Sequence, residues 1–135
     1  GPCLDALDGA LDLLEAEGLR VVLDLHGTAG GENAEAPCGR IHAGWNPRAW
    51  DPEASLAVLK QVAERYAGRV CICGIGVCNE PAESIPSRAL AKYYEDSVST
   101  IRQAGMRAGE VAVLLPIFTE RRLSEFVPLW EEGYA

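Results

Sequence analysis

The sequence has no apolar run approaching the roughly 18 residues that cross a bilayer, which argues against a membrane-spanning helix. It is also poor in basic residues, with 12 Lys and Arg against 20 Asp and Glu, for a net charge of −8. A phosphate backbone would be repelled by that balance, and so would an anionic lipid surface, so neither nucleic acid nor membrane is expected as a partner. The cysteines, at positions 3, 38, 71, 73 and 78, are odd in number and cannot form a closed disulfide framework. Cys71-Ile72-Cys73 lacks the two-residue spacing of a zinc knuckle, and these thiols are expected to serve as small core residues. The glycine-rich Gly30-Gly31-Glu32 is followed by no Lys-Ser/Thr pair, which argues strongly against a phosphate loop. No signal peptide is visible and the first residue is not Met. The compartment stays open, the cell exterior or surface being compatible with the sequence.

What is present is an alternation of helical and strand-like patterns. Leu4, Leu7, Leu11 and Leu14 recur at helical spacing over residues 4–17, and Gly18 is a suitable stop. The run 19–26 is apolar and short, and reads as a strand buried on both faces. Residues 27–50 form a long connection, of a length more often functional than incidental. Asp51-Pro52 supplies an N-cap and a proline at the first position of a second helix, with Leu56, Leu59, Val62, Ala63 and Tyr66 as its stripe. A second strand spans 70–78. A third helix is expected over 87–103, with Leu90, Tyr94 and Ile101 inward. A third strand lies at 111–115, and a last amphipathic stretch at about 120–127.

Strands alternating with helices imply a parallel sheet. A small doubly wound domain and a segment of a (β/α)₈ barrel both fit. In either case the chemistry is expected at the C-terminal ends of the strands. Those ends carry His26, then Asn79 and Glu80, then Phe118 with Thr119. Glu80 suits acid/base work, because a carboxylic acid enclosed by apolar strand ends can hold its proton near neutral pH; a solvated loop glutamate is the plainer reading. Pro81 stiffens the turn that presents it, and Asn79 offers donors and an acceptor to a sugar hydroxyl. Gly74, Gly76 and Cys78 share the parity of Glu80 and should face one side, with Ile75 and Val77 towards helices. Asp24, inside its strand, is expected to be a buried structural acid bonded to backbone or arginine, with a catalytic role as the alternative. His26 is either a core histidine or a ligand. Trp45, Trp50 and Phe118 either stack on sugar rings or pin loops.

Asp24-Leu25-His26-Gly27, Gly30-Gly31-Glu32-Asn33, Arg65-Tyr66, the run Gly74 to Pro81 and Tyr93-Tyr94 together resemble glycoside hydrolase family 5, especially its exo-β-1,3-glucanase-like branch. The resemblance runs over nearly the whole chain. It implies a retaining β-glycosidase on a (β/α)₈ barrel, with residues 1–135 as a partial domain covering about strands three to five. The remaining barrel segments become its expected partners, and a β-glucan or oligosaccharide its substrate. It implies Glu80 as general acid/base and His26, Asn79 and Asn33 as sugar-binding residues, with Phe118 at the same rim. No metal or organic cofactor is implied. The family's nucleophile, a Glu on strand seven, is expected beyond residue 135, so the chain alone is expected to be inactive. The sequence departs from the pattern where Glu32 replaces a usual Gln, where no aromatic stands at Ala34-Glu35-Ala36, and where Leu115-Pro116-Ile117-Phe118 replaces a His-Asp-Ala-Phe-like strand end. A non-catalytic carbohydrate-binding or vestigial barrel piece is the alternative within the same fold.

Overall fold

The computed structural model describes residues 2–35, 44–117, 122, 124 and 126. Helix α1 (Pro2–Ala16) is followed by strand β1 (Val21–Asp24), helix α2 (Pro52–Tyr66), strand β2 (Ile72–Gly76), helix α3 (Ser87–Gln103) and strand β3 (Ala112–Leu114). A 3₁₀ turn, Pro47–Ala49, lies in the β1–α2 connection. The expected final stretch around 120–127 falls largely outside the described residues.

Local chemistry accounts for the boundaries. Gly18 takes a left-handed φ of 69° just past α1, where a side chain would be strained. Leu19 is consumed in that stop, its N–H donating to Leu14 O at 2.9 Å, so β1 starts later than the apolar run suggests. Asp51 caps α2 by accepting from Ala54 N at 2.9 Å, with Pro52 in the first turn. Pro86 precedes α3, whose bounds match the expected 87–103.

The three strands are parallel in the order β1-β2-β3. Val22, Gly74 and Ala112 stand side by side, then Leu23, Ile75 and Val113, then Asp24, Gly76 and Leu114. Because side chains alternate along a strand, the middle row faces one side and the outer rows the other. The middle row meets the helices: Ile75 is buried in one cluster with Leu11, Leu59, Leu90 and Ile101, and Leu23 and Val113 pack against it. Burying one such aliphatic side chain contributes about 1.5–3 kcal/mol, and Ile75→Ala would cost about 2–5 kcal/mol because a cavity also remains.

The other face is open. Val22 and Leu114 are 48% and 44% exposed, and Asp24 is exposed beside them. The expectation that β1 is buried on both faces is therefore corrected. Among the described residues helices cover only one side of the sheet, and alternate residues of β1 are exposed. A doubly wound sheet would carry helices on both faces; this one is a segment of a (β/α)₈ barrel.

Acidic α1 is tied to the end of α2. Arg65 pairs with Asp8, while Arg69 reaches Asp12 at 2.5 Å and Glu15 at 3.3 Å. The Arg65 guanidinium holds the Asp8 carboxyl below its ordinary range.

Candidate functional site

The site grows from two loops, one after β1 and one after β2. Both leave the sheet at its C-terminal edge, since Leu25 N donates to Gly76 O at 3.0 Å. What joins them is Glu32, whose side chain is fully buried. One of its carboxylate oxygens accepts from Thr28 N at 2.8 Å and from Thr28 Oγ1 at 2.7 Å. The other accepts from Asn79 N at 3.0 Å. Glu32 O also accepts from Ala82 N at 2.8 Å, and Asn33 Nδ2 donates to Glu80 O at 2.8 Å. Residues 32 and 33 thus hold the 79–82 turn along its whole length.

Within that turn Glu80 has a φ of 45° and is the one non-glycine residue with positive φ among the described residues. This region is sparsely populated by L-residues and costs of order 1 kcal/mol or more, so it persists only where surroundings enforce it. Here the enforcing groups are Glu32, Asn33 and Pro81. Glu80 is half-buried and lines a hollow of about 460 Å³ with Asn33, Glu35, Trp45 and Glu83. Trp45 is fixed there by its Nε1, which donates to Gly30 O and Gly31 O, each at 3.1 Å. It both pins the loop and walls the hollow.

Behind the turn the helix layer fixes the end of β2. Tyr93 Oη donates to Val77 O at 2.6 Å, and burial pushes this hydroxyl well above the usual tyrosine range, with Cys78 adding to the shift. It therefore stays a proton donor. Trp50 packs edge-on against Tyr93 with centroids 5.2 Å apart and is buried, so it is a loop pin and not a stacking surface. Cys78 does not join the open glycine face as its parity suggests. The strand ends at Gly76, and Cys78 is buried with its Sγ 3.8 Å from Tyr94 Oη.

His26 stands on the open face of the neighbouring strand. Its Nδ1 lies 2.8 Å from Asp24 Oδ2, and both side chains are about half exposed. The expectation of a buried Asp24 bonded to backbone or arginine is corrected: the one-sided sheet leaves it in solvent, and its partner is an imidazole. Asn33, Asn79 and Glu80 are brought together through Glu32, whereas His26 lies at the adjacent strand end and does not line the Glu80 hollow. Phe118 lies outside the described residues. Sequence reasoning missed the role of Glu32. The available signal was an acid in a loop of Gly and Asn, where the family pattern has an amide.

A one-sided parallel sheet with a constrained carboxylate at a strand's C-terminal end fits a segment of a (β/α)₈ barrel, the fold that carries its active sites at that end. Residues 3–119 match the family model described as cellulase (glycosyl hydrolase family 5), and the chain belongs to that family. It is 28% identical over 133 residues to a glucan 1,3-beta-glucosidase of Yarrowia lipolytica, covering 95% of this chain and 31% of that protein. It is 32% identical over 108 residues to a glucan 1,3-beta-glucosidase of Blumeria graminis, covering 78% and 25% respectively. A probable glucan 1,3-beta-glucosidase A of Aspergillus clavatus is 31% identical over 115 residues, covering 78% and 26%. The chain thus spans between a quarter and a third of the length of these relatives.

Proposed function

We propose that this chain supplies the acid/base side of a retaining β-glycosidase acting on β-1,3- or β-1,4-linked glucan. Glu80 protonates the departing glycosidic oxygen while a second carboxylate attacks the anomeric carbon. Glu80 then takes a proton from the water that releases the glycosyl-enzyme. Retention needs the two carboxyls about 5–5.5 Å apart, and the second is expected from a barrel strand other than the three described. Asn79 and Asn33 bind hydroxyls of the sugar at the reacting centre. His26, held by Asp24, lines the same rim, and Phe118 is the aromatic candidate for stacking on the sugar. The chain alone lacks the nucleophile and is inactive without the remaining barrel segments.

The observation that carries this reading is the left-handed φ of Glu80, enforced by residues 32 and 33 beside a hollow large enough for a sugar ring. Non-glycine residues held in that conformation by their surroundings cluster at functional sites, which favours this reading over a solvated loop glutamate. The names of the relatives support the substrate class. The test uses laminarin and cello-oligosaccharides, with the chain alone and within a complete barrel of this family. Negligible turnover is expected alone. In the complete enzyme Glu80→Gln should lower kcat by about 10²–10⁴, with glycosylation spared for a dinitrophenyl glycoside whose leaving group needs no proton. Full turnover of laminarin by that variant would refute the assignment.

A further inference from the structure

We propose that Glu32 is a positioning residue whose carboxylate, with an acceptor on each side, and not merely its size, sets the geometry of the Glu80 turn; this rests on the acid/base reading of Glu80. Three donors converge on Glu32, two of them backbone N–H groups, at Thr28 and Asn79, that lie on different oxygens. Neither backbone donor can rotate away. A carboxylate accepts on both sides, whereas an amide presents an acceptor on one side and donors on the other. With Gln at position 32, one of the two N–H groups would face an NH₂, in a pocket where Glu32 has no solvent exposure to relieve the conflict. A buried donor without an acceptor is costly, so the loop would shift. The shift would pass to Asn79, adjacent to Glu80, and to Glu80 O through Asn33. Two of the three donors are backbone N–H groups that any residue would supply; the donor peculiar to this chain is the Thr28 hydroxyl, so Thr28 and Glu32 form one unit.

The experiment compares Glu32→Gln and Glu80→Gln with the parent. In the chain itself, hydrogen exchange read by NMR should speed up at the Asn79 or Thr28 amide by roughly tenfold in Glu32→Gln, with Gly74 and Ile75 still protected. Glu80→Gln should leave those amides unchanged. In a complete enzyme containing the chain, Glu32→Gln should lower kcat by roughly 10²-fold, with KM little changed and the acid/base limb of the pH–kcat profile displaced. Unchanged exchange at both amides overturns the inference, as does an unchanged kcat and pH profile where Glu80→Gln has lost turnover. If Glu80→Gln turns over like the parent, the acid/base reading fails, and the exchange result still decides the clamp. Should Glu32→Gln not fold, Glu32→Asp, which draws both acceptor oxygens back by one methylene, should speed exchange at the same two amides, and unchanged exchange there overturns the inference.

Discussion

Gly76 gives the Asp24 carboxylate its place. The two residues stand in register on neighbouring strands, and a Cβ at position 76 would collide with Asp24 Oδ1. Only with a bare α-carbon there can the carboxylate lie along the open face and meet His26. Gly74, one step earlier on the same face, sits between Val22 and Leu114, where a Cβ would fall 2.9 Å from Leu114 Cδ1.

Gly76→Ala is therefore expected to disturb the imidazole and spare the fold. The clashing atom is the end of an exposed, movable side chain, so Asp24 swings aside while the strands stay paired. Replacing a strand glycine also removes unfolded-chain entropy of about 0.5–1 kcal/mol, offsetting part of the crowding. The imidazole nitrogen resonances of His26 should change as Nδ1 loses its acceptor, with the melting temperature moving by only a few degrees. Unaltered resonances would show that the Asp24–His26 contact does not depend on the glycine.

The α1–α2 clamp predicts a specific loss in acid. Hydrogen bonding to Arg65 is the main reason that the Asp8 carboxyl titrates low, partly opposed by burial. A carboxylate with a depressed folded pKa contributes fully above its unfolded value of about 3.9 and loses that contribution as pH falls through the folded value. Asp8→Asn should thus lower the melting temperature at neutral pH and flatten its decline on acidification below about pH 4. Parallel melting curves for the variant and parent across that range would contradict the assignment.

The cysteines should differ sharply as nucleophiles. Cys3 is exposed, whereas Cys71 and Cys78 are buried. Burial raises the pKa of the Cys71 thiol, and neighbouring Glu15 raises it further. Less thiolate and less access both slow alkylation. Brief iodoacetamide treatment at pH about 8, near the ordinary thiol pKa, followed by peptide mass analysis, should find Cys3 labelled well before Cys71. Equal rates in the native protein would mean that the core around β2 opens readily.

Much of the backbone was readable from local chemistry. The Asp51-Pro52 start of α2, the span of α3 and the presence of three strands follow from capping residues and apolar periodicity, which act within a few residues. Burial was less readable. Whether Asp24 is covered depends on whether helices pack on one face of the sheet or both, and the run 19–26 looks apolar either way. The parity rule failed at Cys78 because the strand ends two residues earlier, where Tyr93 takes Val77 O for its own hydrogen bond. Asn33, Asn79 and Glu80 could be named from motifs. The clamp joining them could not, since Glu32 and Asn79 stand 47 residues apart. Nor does a Glu before Pro announce a left-handed φ; that conformation is imposed from outside.

The base of the β1–α2 connection is closed by its own backbone. Asp51 N donates to Ala29 O at 2.8 Å and Ala29 N to Ser55 Oγ at 3.0 Å, while Gly30, with a φ of 75°, lies so near Ala49 O that no side chain could occupy its position. This knot anchors the backbone leading into Glu32 to the first turn of α2 as well as to β1. Strain applied at the start of α2 would then reach the 79–82 turn through Ala29 and Glu32, across two separate loops.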